Sequence, residues 1–276
     1  MRLLAVHAHP DDETLFSGAL LASWARTGEV ELVTCTRGER GEVIGTELAH
    51  LEGDGPALAA HRETELAAAL ASLGVREHAF LDELVGVDEL ERPVRIEDSG
   101  MAWVAEGLAG AAQEIPEGAF VSFDAELAAR ALARRVAERG AEVLVTYGPD
   151  GGYGHPDHVR AHEVTMRAVA LLVESGERVP VVLWAVATER HEEVLAAGGP
   201  RVEVPLAPVI EEVAGAMRAH ATQVQDLVVG EATIDFALSN EVPLRLGPVE
   251  RFEPAPGAVR PWAWPEGVEG LGWPVP

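Results

Sequence analysis

The sequence contains no lysine: the 21 basic residues among its 276 are all arginine. That removes chemistry built on an ε-amine, from pyridoxal Schiff bases to the lysine of a Walker A phosphate loop. There is one cysteine, Cys35, which excludes an intrachain disulfide framework and a cysteine-built zinc site and fits a reducing compartment. Cys35 lies in the apolar run "ELVTCT" and reads as a core thiol. Basic charge is scarce as well: 21 basic against 46 acidic side chains give a formal net charge of −25. Phosphate polyanions and anionic lipid would be repelled, so neither nucleic acid nor membrane is expected as a partner. No apolar run reaches the roughly 20 residues of a membrane span. The N-terminal "RLLAVHA" is too short for a cleavable signal. A soluble, cytoplasmic chain is expected, and the composition leaves its oligomeric state open.

Apolar residues make up 47% of the chain, enough for one large α/β domain or two modest ones. Buried strands are expected at "RLLAVHA", "EVELVTCT", "HAFLD", "AEVLVTYG" and "VPVVLWAVA". Helical spacing marks the segments that begin "DETLFSGAL", "PALAAHRET", "DAELAARAL" and "HPDHVRAHE", and one within "PLAPVIEEVAGAMRAHATQ". Residues 85–119 show no sustained period, which in a compact domain usually marks a functional segment. The alternation of strand and helix predicts a Rossmann-like, mostly parallel sheet with helices on both faces. We expect a catalytic domain over 1–186. The remainder, 187–276, is expected to pack on it as a helix, short strands and an irregular Pro/Trp-rich tail.

Two echoes dominate the motifs: "HAHPDDE" (residues 7–13) and "GYGHPDH" (152–158). Each follows an expected strand and precedes an expected helix. In open parallel sheets ligands bind beyond the carboxyl ends of the strands, so both motifs belong to one rim. Read singly, "HPDD" is better explained by a helix N-cap beside a surface histidine. Read together, they suggest one metal site. His9 and Asp12 can point into one cleft, and His158 is the third ligand chosen; three ligands leave room for water and substrate. Such a set suits zinc, with Fe(II) equally compatible, at one ion per chain. Asp11 is then the candidate base for a water whose pKa the metal lowers toward about 7, although a capping role is also open to it. His155 is a candidate donor to the leaving amine or to a developing oxyanion, with Asp157 expected to hold its ring. Tyr153, in a glycine-rich loop, is a candidate oxyanion donor or a packing residue. Arg62, on the second expected helix, is a candidate for sugar hydroxyls or a solvated surface arginine. His7 reads as a buried strand histidine or a partner behind the ligands. His50, His61, His78, His162, His191 and His220 lack motif context and read as ordinary.

Together "AHPDDE", "TCTRGERGEVIG", "HRETELAAALASLGV", "EDSGM" and "TYGPDGGYGHPDH" resemble the PIG-L/LmbE-like metal-dependent N-deacetylases. "RAHATQV" (218–224) and "ALSNEVPL" (237–244) extend the likeness. Within the family the motifs look most like the branch that removes acetate from N-acetylglucosaminyl-inositol in mycothiol biosynthesis. The resemblance implies an LmbE-like Rossmann fold, a zinc-dependent amidohydrolase and a small amino-sugar substrate. It implies His9, Asp12 and His158 as metal ligands and Asp11 as general base. It also implies His155 with Asp157 at the transition state and Tyr153 as a mobile tyrosine polarising the carbonyl. Arg62, Asp98 and Glu42 match substrate-binding positions. Glu97 departs from the pattern, standing where the family tends to carry a basic residue. Alternatives are an amidase acting on mycothiol S-conjugates or another amino-sugar deacetylase of the family. Outside hydrolysis, a non-haem Fe(II) oxygenase using the same ligand types or a non-catalytic metal-binding protein remains open.

Overall fold

The computed structural model describes residues 1–85, 94–105, 108–259 and 264–273. The expected irregular stretch 85–119 and the tail 253–276 each fall partly outside the described residues.

β1 (Arg2–His7) leads into α1 (Asp12–Ala25), β2 (Glu29–Thr34), α2 (Gly55–Leu73), β3 (Glu77–Phe80) and the single turn α3 (Leu81–Leu84). Next come β4 (Met101–Ala105), β5 (Leu108–Ala111), α4 (Ala125–Arg139), β6 (Val143–Tyr147), the short α5 (Gly151–Gly154), α6 (Pro156–Ser175) and β7 (Val181–Ala185). The chain continues through α7 (His191–Ala197), β8 (Arg201–Pro205), α8 (Ile210–Ala219), β9 (Gln225–Val229), β10 (Ile234–Ala237), β11 (Pro243–Leu246), β12 (Val249–Pro254) and β13 (Glu269–Leu271).

The main sheet has eight strands in the order β13-β8-β12-β7-β6-β1-β2-β3. Strands β7, β6, β1, β2 and β3 run parallel, while β12, β8 and β13 add on antiparallel. The parallel strands are apolar on both faces because helices cover both. Leu3 and Ala5 of β1 join a core with α1, α2 and α8. Leu4 and Val6, one residue out of step, join a second core with α4 and α6. The α/β reading of the sequence thus holds. Two smaller sheets accompany it: β11-β10-β9, and the hairpin β4-β5.

Within the tail expected to be irregular, β13 is a strand, and the end of β12 reaches into it. β12 and β13 pair with β8 in the main sheet. Trp264 stands 6.2 Å from Trp24 and 6.3 Å from Trp273, ring centre to ring centre, so tryptophan packing does hold this region. The hairpin β4-β5 likewise lies where no period was read. Such short strands are set by pairing partners rather than by their own hydrophobic pattern.

Candidate active site

Strand order reverses at β1: β2 and β3 lie on one side of it and β6 on the other. The carboxyl ends of β1 and β6 therefore flank the crevice where open α/β sheets bind ligands. "HPDD" leaves β1 into α1, and "GGYGHPDH" leaves β6 into α6. The second loop depends on its glycines: Gly151, Gly152 and Gly154 have φ of 67°, 80° and 86°. A Cβ on Gly151 would meet that of His158 at 2.9 Å, and one on Gly154 would meet the Ala109 carbonyl oxygen at 2.8 Å. Only glycine permits both the left-handed backbone and this closeness.

The structure brings His9, Asp12, His155 and His158 together in a buried cluster. Ring nitrogens of His9, His155 and His158 lie within 4.8 Å of one another. The Asp12 carboxylate bridges two of them, its Oδ2 3.2 Å from His9 Nδ1 and its Oδ1 3.3 Å from His158 Nε2. The outer side of each ring fixes its orientation. His158 Nδ1 donates to the Gly151 carbonyl at 3.1 Å, and His9 Nε2 donates to Asp157 Oδ2 at 3.2 Å. The inner nitrogens, His158 Nε2 and His9 Nδ1, face the Asp12 carboxylate. Burial opposes a charge on His9, but Asp98, Asp12 and Asp157 outweigh it and raise its pKa well above the usual value, so the cluster is built to hold positive charge. His158 Nε2 is buried with no hydrogen-bond partner among the described residues. The donor set therefore fits a divalent metal.

Asp157 corrects one expectation. Its carboxylate does not hold His155; Oδ2 accepts from His9 and, at 2.9 Å, from the Ser99 N–H. His155 Nδ1 instead accepts the backbone N–H of Asp157 at 3.1 Å. The first turn of α6 causes this, since its free N–H groups point at the residue before the helix. The proton of neutral His155 consequently sits on Nε2. Burial, followed by His9 and His158, lowers its pKa to about 2, so the ring is neutral.

Asp11 occupies the N-cap position of α1 but makes no side-chain capping bond. Its φ is 125°, a conformation that costs a non-glycine residue about 1–3 kcal/mol. Burial raises its pKa to about 6, against the opposing charge of Arg62 and with the help of Asp12. For Asp12, burial opposes ionisation, but His158 and His9 outweigh it and hold the carboxyl well below the usual range.

Arg62 also departs from expectation. It is 2% exposed; its guanidinium donates to the carbonyls of Gly38 and Pro10 and stands 3.2 Å from Asp11 Oδ2. These donors order the loops beneath the site instead of facing solvent. Asp98 is buried near the cluster, 3.8 Å from His9 Nε2, with Oδ1 accepting the Gly100 N–H at 2.7 Å. Glu42 is exposed on the loop after β2. Tyr153 is half-buried, its ring centre 5.1 Å from that of His158. Burial and then the surrounding Asp12, Asp11, Asp98 and Asp157 raise its phenol well above the usual value, keeping it a donor.

Three supporting residues escaped the sequence reading. Tyr147 stacks on His158 with ring centres 4.1 Å apart, and its hydroxyl accepts the Ala8 N–H at 2.8 Å. Glu13 and His220, both fully buried, pair at 2.7 Å. The only signal for His220 was its place in "RAHATQV". His7, buried and 2.8 Å from Ser17 Oγ, lies behind the site rather than in it.

Fold and site together describe an α/β protein with a histidine–carboxylate centre, suited to a divalent metal, at the sheet's switch point. A family model described as PIG-L, GlcNAc-PI de-N-acetylase, matches residues 4–169. A deacetylase of 1D-myo-inositol 2-acetamido-2-deoxy-alpha-D-glucopyranoside from Kineococcus radiotolerans is 41% identical over 91% of this chain and 76% of its own. One of the same name from Streptomyces avermitilis is 41% identical over 91% of both chains. Among solved structures, N,N'-diacetylchitobiose deacetylase from Pyrococcus horikoshii superposes with a TM-score of 0.56, at 20% identity, over 82% of this chain and 71% of that one. The zinc-inhibited form of teicoplanin deacetylase Orf2 gives 0.53 at 20% identity over 92% and 97%; these two likenesses concern the fold. The chain belongs to the PIG-L family of de-N-acetylases and is a deacetylase.

Proposed function

We propose that this chain hydrolyses the N-acetyl group of N-acetylglucosaminyl-inositol, the 2-acetamido-2-deoxyglucoside of myo-inositol, as a step in mycothiol biosynthesis. The observation that carries the substrate is the 41% identity, over 91% of this chain, to relatives named for that reaction. His9, Asp12 and His158 would hold the metal; two imidazoles and a carboxylate suit zinc and Fe(II) alike, and zinc is the ion proposed from the family resemblance. When bound, such an ion acidifies a water and polarises the amide carbonyl.

The chain's own groups supply the proton transfers. Asp11 adjoins Asp12, and its side chain keeps 13% of its surface exposed, so it can receive the proton of the attacking water. The His155 Nε2–H is free to donate because Nδ1 is occupied by the Asp157 N–H; it would bind the developing oxyanion. The Tyr153 hydroxyl is proposed as a second donor on the same side, carried by the glycine loop. Asp157 orients His9 through Nε2. Asp98 and the exposed Glu42 are proposed to meet the sugar and inositol hydroxyls, and no direct substrate role is assigned to Arg62.

Amine release tests this reading. Metal-loaded and chelator-stripped protein are incubated with N-acetylglucosaminyl-inositol, N-acetylglucosamine and a mycothiol S-conjugate. Metal-dependent release from the first, far above the other two, is expected. Preference for the conjugate would move the protein to the amidase branch.

A further inference from the structure

The stretch "RAHATQV" carries part of the family likeness, yet none of its residues enters the chemistry above. Its placement is specific. Residues 220–224 form the turn that ends α8, with the N–H groups of Gln223 and Val224 both donating to the His220 carbonyl at 2.9 Å. Glu65 of α2 anchors the turn, accepting from Thr222 N–H at 2.8 Å and from its Oγ1 at 2.6 Å. The Ile44 N–H donates to the Thr222 carbonyl at 3.0 Å. The His220 ring is thereby delivered, from 207 residues away in sequence, onto Glu13 at 2.7 Å.

Glu13 shows what the delivery achieves. Its Oε1 is held by His220 and by Thr14 Oγ1 at 2.6 Å, and its Oε2 accepts the backbone N–H of Asp11 at 2.9 Å. The other pole of the same peptide unit, the Pro10 carbonyl, is held by Arg62. The Pro10–Asp11 peptide is therefore gripped at both ends. This is the peptide that must be fixed for Asp11 to keep its φ of 125°, since such a conformation persists only where its surroundings over-determine it.

We propose that Glu13 and His220 are positioning residues: they hold the Asp11 backbone so that its carboxylate faces the reacting water, and the 220–224 turn serves the active site through them. The inference rests on the reading of Asp11 as proton acceptor. Stability alone is a poor reason for the pair. A buried ion pair is often no better than apolar residues of the same volume, because desolvation offsets the attraction, and fixing one arrangement is its best-attested use. Glu13 is also too engaged to act on substrate itself, as both of its oxygens have partners.

The test compares Glu13→Ala, Glu13→Gln, His220→Ala, His220→Gln and Asp11→Asn with the parent, each as metal-loaded full-length protein. The readouts are metal per chain, kcat and KM separately, and the hydrogen-exchange rate of the Asp11 amide by NMR. A hydrogen bond to a charged group corresponds to roughly 10- to 100-fold. The two alanine variants are expected to lose about that factor in kcat, with KM and metal content close to the parent's. Glu13→Gln keeps an oxygen for the Asp11 N–H, and His220→Gln keeps a donor for Glu13, so both should recover most of the loss. Asp11 amide exchange should accelerate by about tenfold or more in Glu13→Ala. A purely structural role would instead lower metal per chain and leave kcat per metal intact. Parent-like kcat and exchange in both alanine variants would overturn the proposal, as would a kcat loss that glutamine does not restore. If Glu13→Ala does not fold, the His220 pair and Glu13→Gln decide by the same criteria. If Asp11→Asn retains full turnover, the base reading falls, while the exchange rates still judge whether Glu13 holds that peptide.

Discussion

Replacing Asp157 by asparagine separates its charge from its hydrogen bonds. Both bonds fall on Oδ2, from His9 Nε2 at 3.2 Å and from Ser99 N at 2.9 Å, whereas Oδ1 is buried without a partner among the described residues. The asparagine carbonyl takes the Oδ2 position because both neighbours are donors, and the amide nitrogen takes the empty one. Geometry is kept and one negative charge is lost. That charge lies 3.2 Å from His9 Nε2 and acts on the metal only through the imidazole, with Asp12 and Asp98 remaining. Removal of such an orienting carboxylate typically weakens metal binding about 10- to 100-fold, or roughly 1.4–2.7 kcal/mol. Asp157→Ala, which removes both acceptors as well, should lose more. The assay is zinc affinity by competition with a chromophoric chelator, followed by kcat at saturating metal. Parent-like affinity in Asp157→Asn would refute the placement of this carboxylate behind a ligand. A loss confined to kcat at saturating metal would instead return it to a partnership with His155.

Three further outcomes can be checked. Tyr147→Phe leaves the Ala8 N–H without its partner in the core, and chemical denaturation should show a loss of about 1–3 kcal/mol. His7 titrates in the folded protein at about 4, mainly through burial, against 6.5 ordinarily. The unfolded chain thus binds the extra proton between those values, and stability present above pH 6.5 is lost as pH falls toward 4. His7→Gln should flatten that fall by on the order of 3 kcal/mol; an unchanged pH profile of the melting temperature would count against it. Gly154→Ala, at φ 86° and against the Ala109 carbonyl, should destabilise by more than the 0.4–1 kcal/mol scale of tolerated glycine replacements. It should also lower kcat/KM by displacing the neighbouring Tyr153.

Local pattern accounts for much of what was legible. Five parallel strands, their covering helices and the two motif loops follow from apolar runs, helical spacing and glycine position. These signals are confined to a few consecutive residues and need no partner to be read. The convergence of His9, Asp12 and His158 was legible one step further, because both loops leave carboxyl ends of parallel strands. The direction of individual hydrogen bonds was not. Spacing suggests that Asp157 serves His155, two residues away, yet its carboxylate turns to His9, 148 residues distant. Arg62 sits on a helix face that suits either solvent or substrate, and only the approach of the Gly38 turn and Pro10 shows its two terminal nitrogens engaged.

The sequence by itself determined which residue types meet at the rim, that lysine chemistry and a cysteine-built metal site are absent, and that the sheet is parallel at its heart. These follow from composition and from short-range steric and hydrophobic rules. Tertiary structure alone decided the hydrogen-bond partners of His9, His155 and His158 and the grip on the Pro10–Asp11 peptide. It also decided the entry of β8, β12 and β13 into the main sheet and the arrival of His220 beside Glu13. Each depends on groups far apart in the chain, whose meeting is fixed by packing and by the need to satisfy buried polar atoms. No local pattern encodes that requirement.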